Sequence, residues 1–203
     1  MDKRQLLQSL KQKGFSKEIL HAFFKVKRED FIPAKTRAYT YEDMALPIAR
    51  GQTISQPYTI ALMLSLLKLK TGQKVLEIGS GSGYALALIS EITKSKVFGI
   101  ERIKELATKS RKNLKDYPNI KVYCRDGSKG LPEEAPFDRI LISAAGEKLP
   151  KALVFQLKNN GRIVAPLGTK QGQSLIAFTK AKNKLKIKKE IPGFAFVPFI
   201  SDN

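Results

Sequence analysis

The chain has 203 residues, room for one compact domain with a real core and too few for two ordinary ones. Hydrophobic residues make up 42%, and the 14 glycines bring that share to roughly half, so pervasive disorder is excluded. Lys and Arg number 37 against 18 acids, a formal charge of +19 that predicts attraction to anionic surfaces but specifies neither a fold nor a substrate.

The excess is uneven. Residues 1–70 carry 13 basic against 6 acidic side chains, residues 71–150 carry 14 against 10, and residues 151–203 carry 10 against 2. The single cysteine, Cys124, excludes an intrachain disulfide, and with His21 as the one histidine a Cys/His zinc site cannot be assembled. No metal is expected, and a reducing cytoplasm is the expected compartment. Lys3, Arg4, Lys11 and Lys13 precede no apolar run, so no secretory signal is expected. The longest uncharged stretch, 51–67, contains Gln, Thr, Ser and Pro and is short for a membrane span, which predicts a soluble protein without a membrane partner.

In chain order, Leu6, Leu7 and Leu10 recur at helical spacing, Gly14 punctuates, and Ser16 is placed to cap a second helix through Ile19, Leu20, Phe23 and Phe24. His21 in that helix reads as a packed or surface residue. Residues 39–54 are irregular, with Pro47 and Gly51 as breakers. Ser55-Gln56-Pro57 reads as a helix entrance, Ser55 as N-cap and proline in the first turn, leading into 60–69. From Lys74 short apolar strands alternate with helical stretches: strands at 75–78, 97–100, 120–124, 139–143 and 162–165, helices at 84–92, 103–114 and from Pro150 to Leu157, and a turn at Asn159-Asn160-Gly161. Cys124, closing an apolar strand, reads as a core thiol. The rhythm predicts a parallel sheet covered by helices on both faces, with its ligand at the carboxyl ends of the strands. Residues 174–191 predict a hairpin turning at 181–183. There Lys180, Lys182, Lys184, Lys186 and Lys188 recur every second residue and share one face, a solvated edge that resists pairing; contact with nucleic acid is the alternative.

Three strand ends carry chemistry. Val75-Leu76-Glu77-Ile78-Gly79-Ser80-Gly81-Ser82-Gly83-Tyr84 is a strand, a glycine-rich turn and a helix start. A dinucleotide site would want Gly or Ala where Tyr84 stands, so that pattern fails. Glu101 closes the next strand, where a carboxylate accepts from ribose hydroxyls, and Asp126-Gly127 follows the third, where a carboxylate can take an exocyclic adenine amine.

That set, in that order, resembles the S-adenosylmethionine pocket of the Rossmann-like methyltransferases. Residues 46–57, Leu-Pro-Ile-Ala-Arg-Gly-Gln-Thr-Ile-Ser-Gln-Pro, resemble the signature of the protein-L-isoaspartate O-methyltransferases. So do residues 133–138, Ala144-Ala145, residues 156–162 and Phe196-Val197-Pro198. The resemblance implies a seven-stranded, mostly parallel twisted sheet with helices on both faces, an N-terminal helical extension and a C-terminal β-hairpin. It implies one methyltransferase domain over 1–203: helices and active-site segment in 1–70, a cofactor-binding core in 71–168, and a hairpin and tail in 169–203. The activity implied is methyl transfer from S-adenosylmethionine to the free carboxylate of isoaspartyl or D-aspartyl residues in damaged proteins, leaving S-adenosylhomocysteine. Carried over by motif, Gly79, Gly81 and Gly83, with Ser80 beside them, face the methionine part, Glu101 the ribose, and Asp126 with Gly127 the adenine; Glu77, just before the turn, is counted with the cofactor-binding residues, either supporting the turn or reaching the cofactor through water. Ser55 falls on the active-site serine, and Thr53, Ile54 and Val197 help hold the substrate peptide. Ala49, Arg50, Tyr58 and Ala195 depart from frequent family residues and bear on substrate preference.

Two other classes are weighed. A nucleic-acid methyltransferase suits the charge, but amine methylation commonly uses Asn/Asp-Pro-Pro-aromatic where Ser143-Ala144-Ala145-Gly146 stands, and carbon methylation needs a better placed cysteine than Cys124. A further class is a cofactor-binding module without turnover or a peptide-tailoring relative; the retained Ser55 segment argues against loss of activity, and a tailored peptide stays an alternative substrate. Isoaspartyl peptides and proteins are thus the expected partners, nucleic acid is not, and a monomer is expected.

Overall fold

The computed structural model describes residues 1–169, 171–182 and 184–201. Helix α1 (Lys3–Gln12) opens on a capping box: Asp2 Oδ1 accepts from the Gln5 N–H at 2.8 Å, and Gln5 Oε1 accepts from the Asp2 N–H at 2.8 Å. It buries Leu6 and Leu10, and α2 (Lys17–Lys25) buries Ile19, Ala22 and Phe23. Ser16 is the N-cap of α2, though its side chain makes no capping bond, and His21 lies on the exposed side. Two 3-10 turns, Arg28–Phe31 and Ala34–Tyr39, follow. Arg28 is wholly buried, its guanidinium 5.2 Å over the Tyr84 ring and donating to the Met44 carbonyl at 3.3 Å, so it ties these turns to the residue behind the glycine turn.

The irregular segment contains a small antiparallel pair, β1 (Leu46–Pro47) with β2 (Thr53–Ile54). Helix α3 (Pro57–Leu67) begins with Gln56 as N-cap, its side chain accepting from Thr59 Oγ1 at 3.2 Å. Ser55 is therefore not the cap, which corrects the sequence expectation and leaves its hydroxyl outside the helix. The helix ends at Lys68, in the left-handed region at φ 51°, before the predicted Leu69.

The main sheet runs β5-β4-β3-β6-β7-β8-β9. Strands β3 (Val75–Ile78), β4 (Val97–Glu101), β5 (Ile120–Cys124), β6 (Phe137–Ile142) and β7 (Leu157–Thr169) pair in parallel; β8 (Gly172–Ala181) and β9 (Lys184–Phe194) close the sheet antiparallel. The two-residue period of a strand sorts the core into two layers. Val75, Val97, Leu141, Val164 and Ala177 pack with α1, α2, α3 and α4 (Tyr84–Thr93), while Leu76, Phe98, Ile140, Ile163 and Phe178 pack on the other face against Leu131, Leu153 and Leu157. Helices α5 (Lys104–Asn113) and α6 (Lys151–Gln156) complete the crossovers.

Three expectations are corrected. The turn at 159–161 is not a connection between helix and strand: β7 already pairs at Leu157, and residues 158–161 bulge opposite Asp138 with Asn160 at φ 61°. Cys124 is exposed, because β5 is an edge strand, rather than a core thiol. Lys180 is not on a solvated stripe. It is 6% exposed, and its ammonium donates to the carbonyls of Val154 (2.8 Å) and Leu157 (2.7 Å) at the end of α6, whose dipole favours a cation there. Lys182, Lys184, Lys186 and Lys188 are exposed, but an irregularity between Ala177 and Phe178 shifts the register at Lys188, so the alternation is broken. Asn183 of the predicted turn lies outside the described residues.

Candidate active site

Strands β3, β4 and β6 end side by side, and the segments following them enclose a cleft of about 1030 Å³, mouth included. Its floor is the glycine turn. Gly79 and Gly81 hold φ of 77° and 53°, a region costly to other residues, and the Gly79 and Ser80 N–H groups donate to the Ile100 carbonyl at 2.8 and 3.2 Å. This binds the turn to the end of β4.

Glu101 extends the same junction. Buried at the end of β4, it accepts from the Gly81 N–H (2.9 Å) at one oxygen and from the Ile103 N–H (2.9 Å) at the other. A carboxylate has about four acceptor positions, so two remain for a ligand diol. Glu77 is 2% exposed on β3; one oxygen accepts from Ser143 Oγ at 2.7 Å and the other, also buried, has no partner among the described residues. Burial pushes its carboxyl up to about 8, against the Ser143 hydrogen bond that lowers it and with the Glu101 charge adding to the rise.

The opposite wall comes from elsewhere in the chain. Thr53, Ile54 and Ser55 enter from β2 and the residue after it, Ile60 and Met63 from α3, and Val197, Pro198, Phe199 and Ile200 from the C-terminal tail. The tail is held by the loop after β6: the Ala145 N–H donates to the Val197 carbonyl at 2.8 Å, and the Phe199 N–H to the Ala145 carbonyl at 2.7 Å. Across the mouth, Arg50 at the tip of the β1–β2 hairpin pairs with Glu105 of α5, Nε to Oε2 at 2.6 Å.

Of the residues anticipated from sequence, Ser55, Thr53, Ile54, Val197, Glu77, Gly79, Ser80, Gly81, Glu101 and Gly127 line this one cleft. Gly83 and Asp126 do not. A side chain at Gly83 would meet Ser110 Oγ at 2.6 Å and Leu114 Cδ1 at 2.8 Å, so that glycine serves the packing of α4 on α5. The Asp126 carboxylate folds back on Ser128, accepting from its N–H at 2.8 Å and its hydroxyl at 2.5 Å. Sequence reasoning missed Ser143, Ala144, Ile103, Leu106, Phe199 and Ile200. Ser143 had a signal, its place at a strand's carboxyl end; the tail residues had none, because nothing local says which loop they cross.

These groups fit S-adenosylmethionine. In a chain of charge +19 the cleft concentrates two buried carboxyl groups, the hydrogen-bonded Glu101 and a Glu77 with an oxygen unpartnered among the described residues, which suits a ligand carrying an ammonium and a sulfonium. Glu101 suits vicinal hydroxyls, and Ile103, Leu106 and Gly127 offer a largely apolar slot for a flat ring.

Comparison with known proteins agrees with this geometry. The family model of protein-L-isoaspartate(D-aspartate) O-methyltransferase matches residues 1–203. The chain is 44% identical to the protein-L-isoaspartate O-methyltransferase of Ignicoccus hospitalis, covering 98% of each chain, and 45% identical to that of Petrotoga mobilis, covering 95% of this chain and 92% of the other. A solved protein-L-isoaspartate O-methyltransferase superposes with a TM-score of 0.88 at 30% identity, over 97% of this chain and 65% of that one. A second, a putative protein-L-isoaspartate O-methyltransferase from Plasmodium falciparum solved in complex with S-adenosyl-L-homocysteine, gives 0.86 at 27% identity over all of both chains. Cleft, sheet order and full-length matches together place the chain in the protein-L-isoaspartate (D-aspartate) O-methyltransferase family.

Proposed function

We propose that the protein transfers the methyl group of S-adenosylmethionine to the free carboxylate of L-isoaspartyl, and D-aspartyl, residues in damaged proteins, the first step of their repair. The observation that carries this reading is the pairing, in one cleft, of the buried acceptors Glu77 and Glu101 with a wall made of Ser55 and the tail. When bound, S-adenosylmethionine supplies a methyl carbon on a cationic sulfur. Glu77, Gly79, Ser80 and Gly81 hold its amino-acid end, Glu101 the ribose, and Gly127 bounds the adenine, with Asp126 bracing that loop through Ser128. The substrate carboxylate is already ionised near neutral pH, so no general base is required, which suits a chain with one histidine. Ser55 donates a hydrogen bond that aims the carboxylate at the methyl carbon. The new bond would form between a carboxylate oxygen and the methyl carbon, with S-adenosylhomocysteine as the leaving group. Opposite charges are neutralised in that step, so the apolar residues that exclude water from the cleft favour it. Thr53, Ile54 and Val197 hold the peptide on either side.

The chemistry needs no metal, and all three parts of the chain, 1–70, 71–168 and 169–203, contribute to the cleft, which supports reading them as one catalytic unit. Among the described residues no helix is long and apolar enough to cross a membrane; a cytoplasmic monomer is the setting we propose. The test is methyl transfer from labelled S-adenosylmethionine to matched aspartyl and isoaspartyl peptides, with RNA as a third acceptor. Label is expected on the isoaspartyl peptide alone, as a base-labile ester. Equal labelling of both peptides, or labelling of RNA alone, would overturn the reading.

A further inference from the structure

The cleft wall at 197–200 belongs to a tail that leaves β9, the outermost strand of the sheet, and crosses back to the loop behind β6. The last rung between β8 and β9 pairs Gln173 with Phe194. Beyond it the paired ladder of β8 and β9 stops, and Phe196 is held at both of its backbone groups by the Gln173 side chain. Its N–H donates to Gln173 Oε1 at 2.6 Å, and Gln173 Nε2 donates to its carbonyl at 3.3 Å. The amide thus imitates one more rung of the ladder. Because β8 runs antiparallel to β7, its first residues lie at the end where the parallel strands finish and the cleft opens. The next attachments, Ala145 to Val197 and to Phe199, come from the segment that contributes Ser143 and Ala144 to the cleft.

We propose that Gln173 is a positioning residue for substrate: its side-chain amide fixes Phe196, sets the course of Val197 and the residues after it, and so determines affinity for the methyl-accepting peptide. This rests on reading the cleft as an isoaspartyl-peptide site. Gln173 touches neither the glycine turn nor the Glu77 and Glu101 carboxylates and does not line the cleft, so its effect is separable from cofactor binding. A residue that only stabilised the hairpin would leave peptide affinity unchanged in any variant that stays folded.

The test uses the full-length enzyme with Gln173→Met, which keeps the length and loses both hydrogen bonds. Gln173→Glu serves as a second variant, keeping the acceptor for the Phe196 N–H but setting an oxygen against its carbonyl. For both, KM for an isoaspartyl peptide should rise about tenfold, with kcat at saturating peptide within about twofold of wild type and S-adenosylhomocysteine affinity unchanged. The Phe196 and Phe199 amides should exchange with deuterium faster while those of the glycine turn do not. Unchanged KM in variants that remain folded overturns the proposal, as does a parallel loss of peptide and cofactor affinity. If wild-type enzyme fails to methylate the isoaspartyl peptide at all, the proposed function fails first and is thereby distinguished.

Discussion

Ser55 reaches the cleft because α3 starts two residues later, with Gln56 taking the capping role. Its hydroxyl is the group proposed to orient a substrate carboxylate. Ser55→Ala should lower kcat on an isoaspartyl peptide by about tenfold, the scale of one hydrogen bond to a charged group, while calorimetric binding of S-adenosylhomocysteine is retained. Glu77 leads to a prediction about pH. Its carboxyl, ordinarily at 4.5, is raised by burial to about 8 in the fold, so between those limits the native state keeps a proton that the unfolded chain has lost. Stability contributed by this residue is thus full below about 4.5, declines as pH rises toward 8 and is level beyond. Urea unfolding at pH values near both limits should show wild type losing more stability than Glu77→Gln across the window, and equal losses would contradict the assignment.

At the scale of elements, α3 is held by its end. Arg139 of β6 donates to the Leu67 carbonyl at 2.7 Å and the Lys68 carbonyl at 3.4 Å, and Arg162 of β7 to the Leu66 carbonyl at 2.9 Å. Two sheet arginines therefore satisfy carbonyls that a helix C-terminus leaves open, where positive charge is also favoured by the dipole. The same helix carries Ile60 and Met63 into the cleft. Arg139→Met should cost about 1–3 kcal/mol in denaturant unfolding, since it strands half-buried carbonyls, whereas Arg50→Met, which breaks the exposed pair with Glu105, should cost under about 1 kcal/mol. Lys180 does for α6 what Arg139 does for α3. A pattern of alternating lysines cannot reveal this, because the acceptors at 154 and 157 lie in another element.

Over the whole molecule the charge separates by position. The carboxyls of Glu77 and Glu101 are buried in the cleft, whereas Lys182, Lys184, Lys186, Lys188 and Lys189 stand exposed on the hairpin. If the protein acts as proposed, a basic periphery around the two buried carboxyls would draw in anionic peptides without competing for a cationic cofactor. Raising ionic strength from about 0.05 to 0.5 M shortens the Debye length severalfold, so apparent KM should rise for an acidic isoaspartyl peptide and stay level for a neutral one of the same core sequence. An equal response from both peptides would reduce the charge to solubility.

Apolar periodicity and glycine punctuation in 75–165 were enough to specify alternating strands and helices, because both are properties of neighbouring residues. The glycine turn and Glu101 were legible for the same reason, each needing a backbone shape or a strand end that its own neighbours create; the 53–55 segment was legible only through its resemblance to the family signature, because its own spacing pointed to Ser55 as a helix cap. What folding alone decided is where side chains turn and which distant segments meet. It brings the Gly83 backbone against α5, turns Asp126 onto Ser128, buries Lys180 under α6, sets Ser143 against Glu77 and lays the tail across the cleft. Several of these join residues tens of positions apart, and the rest depend on the direction a side chain takes; a local period of two or 3.6 carries no information about either.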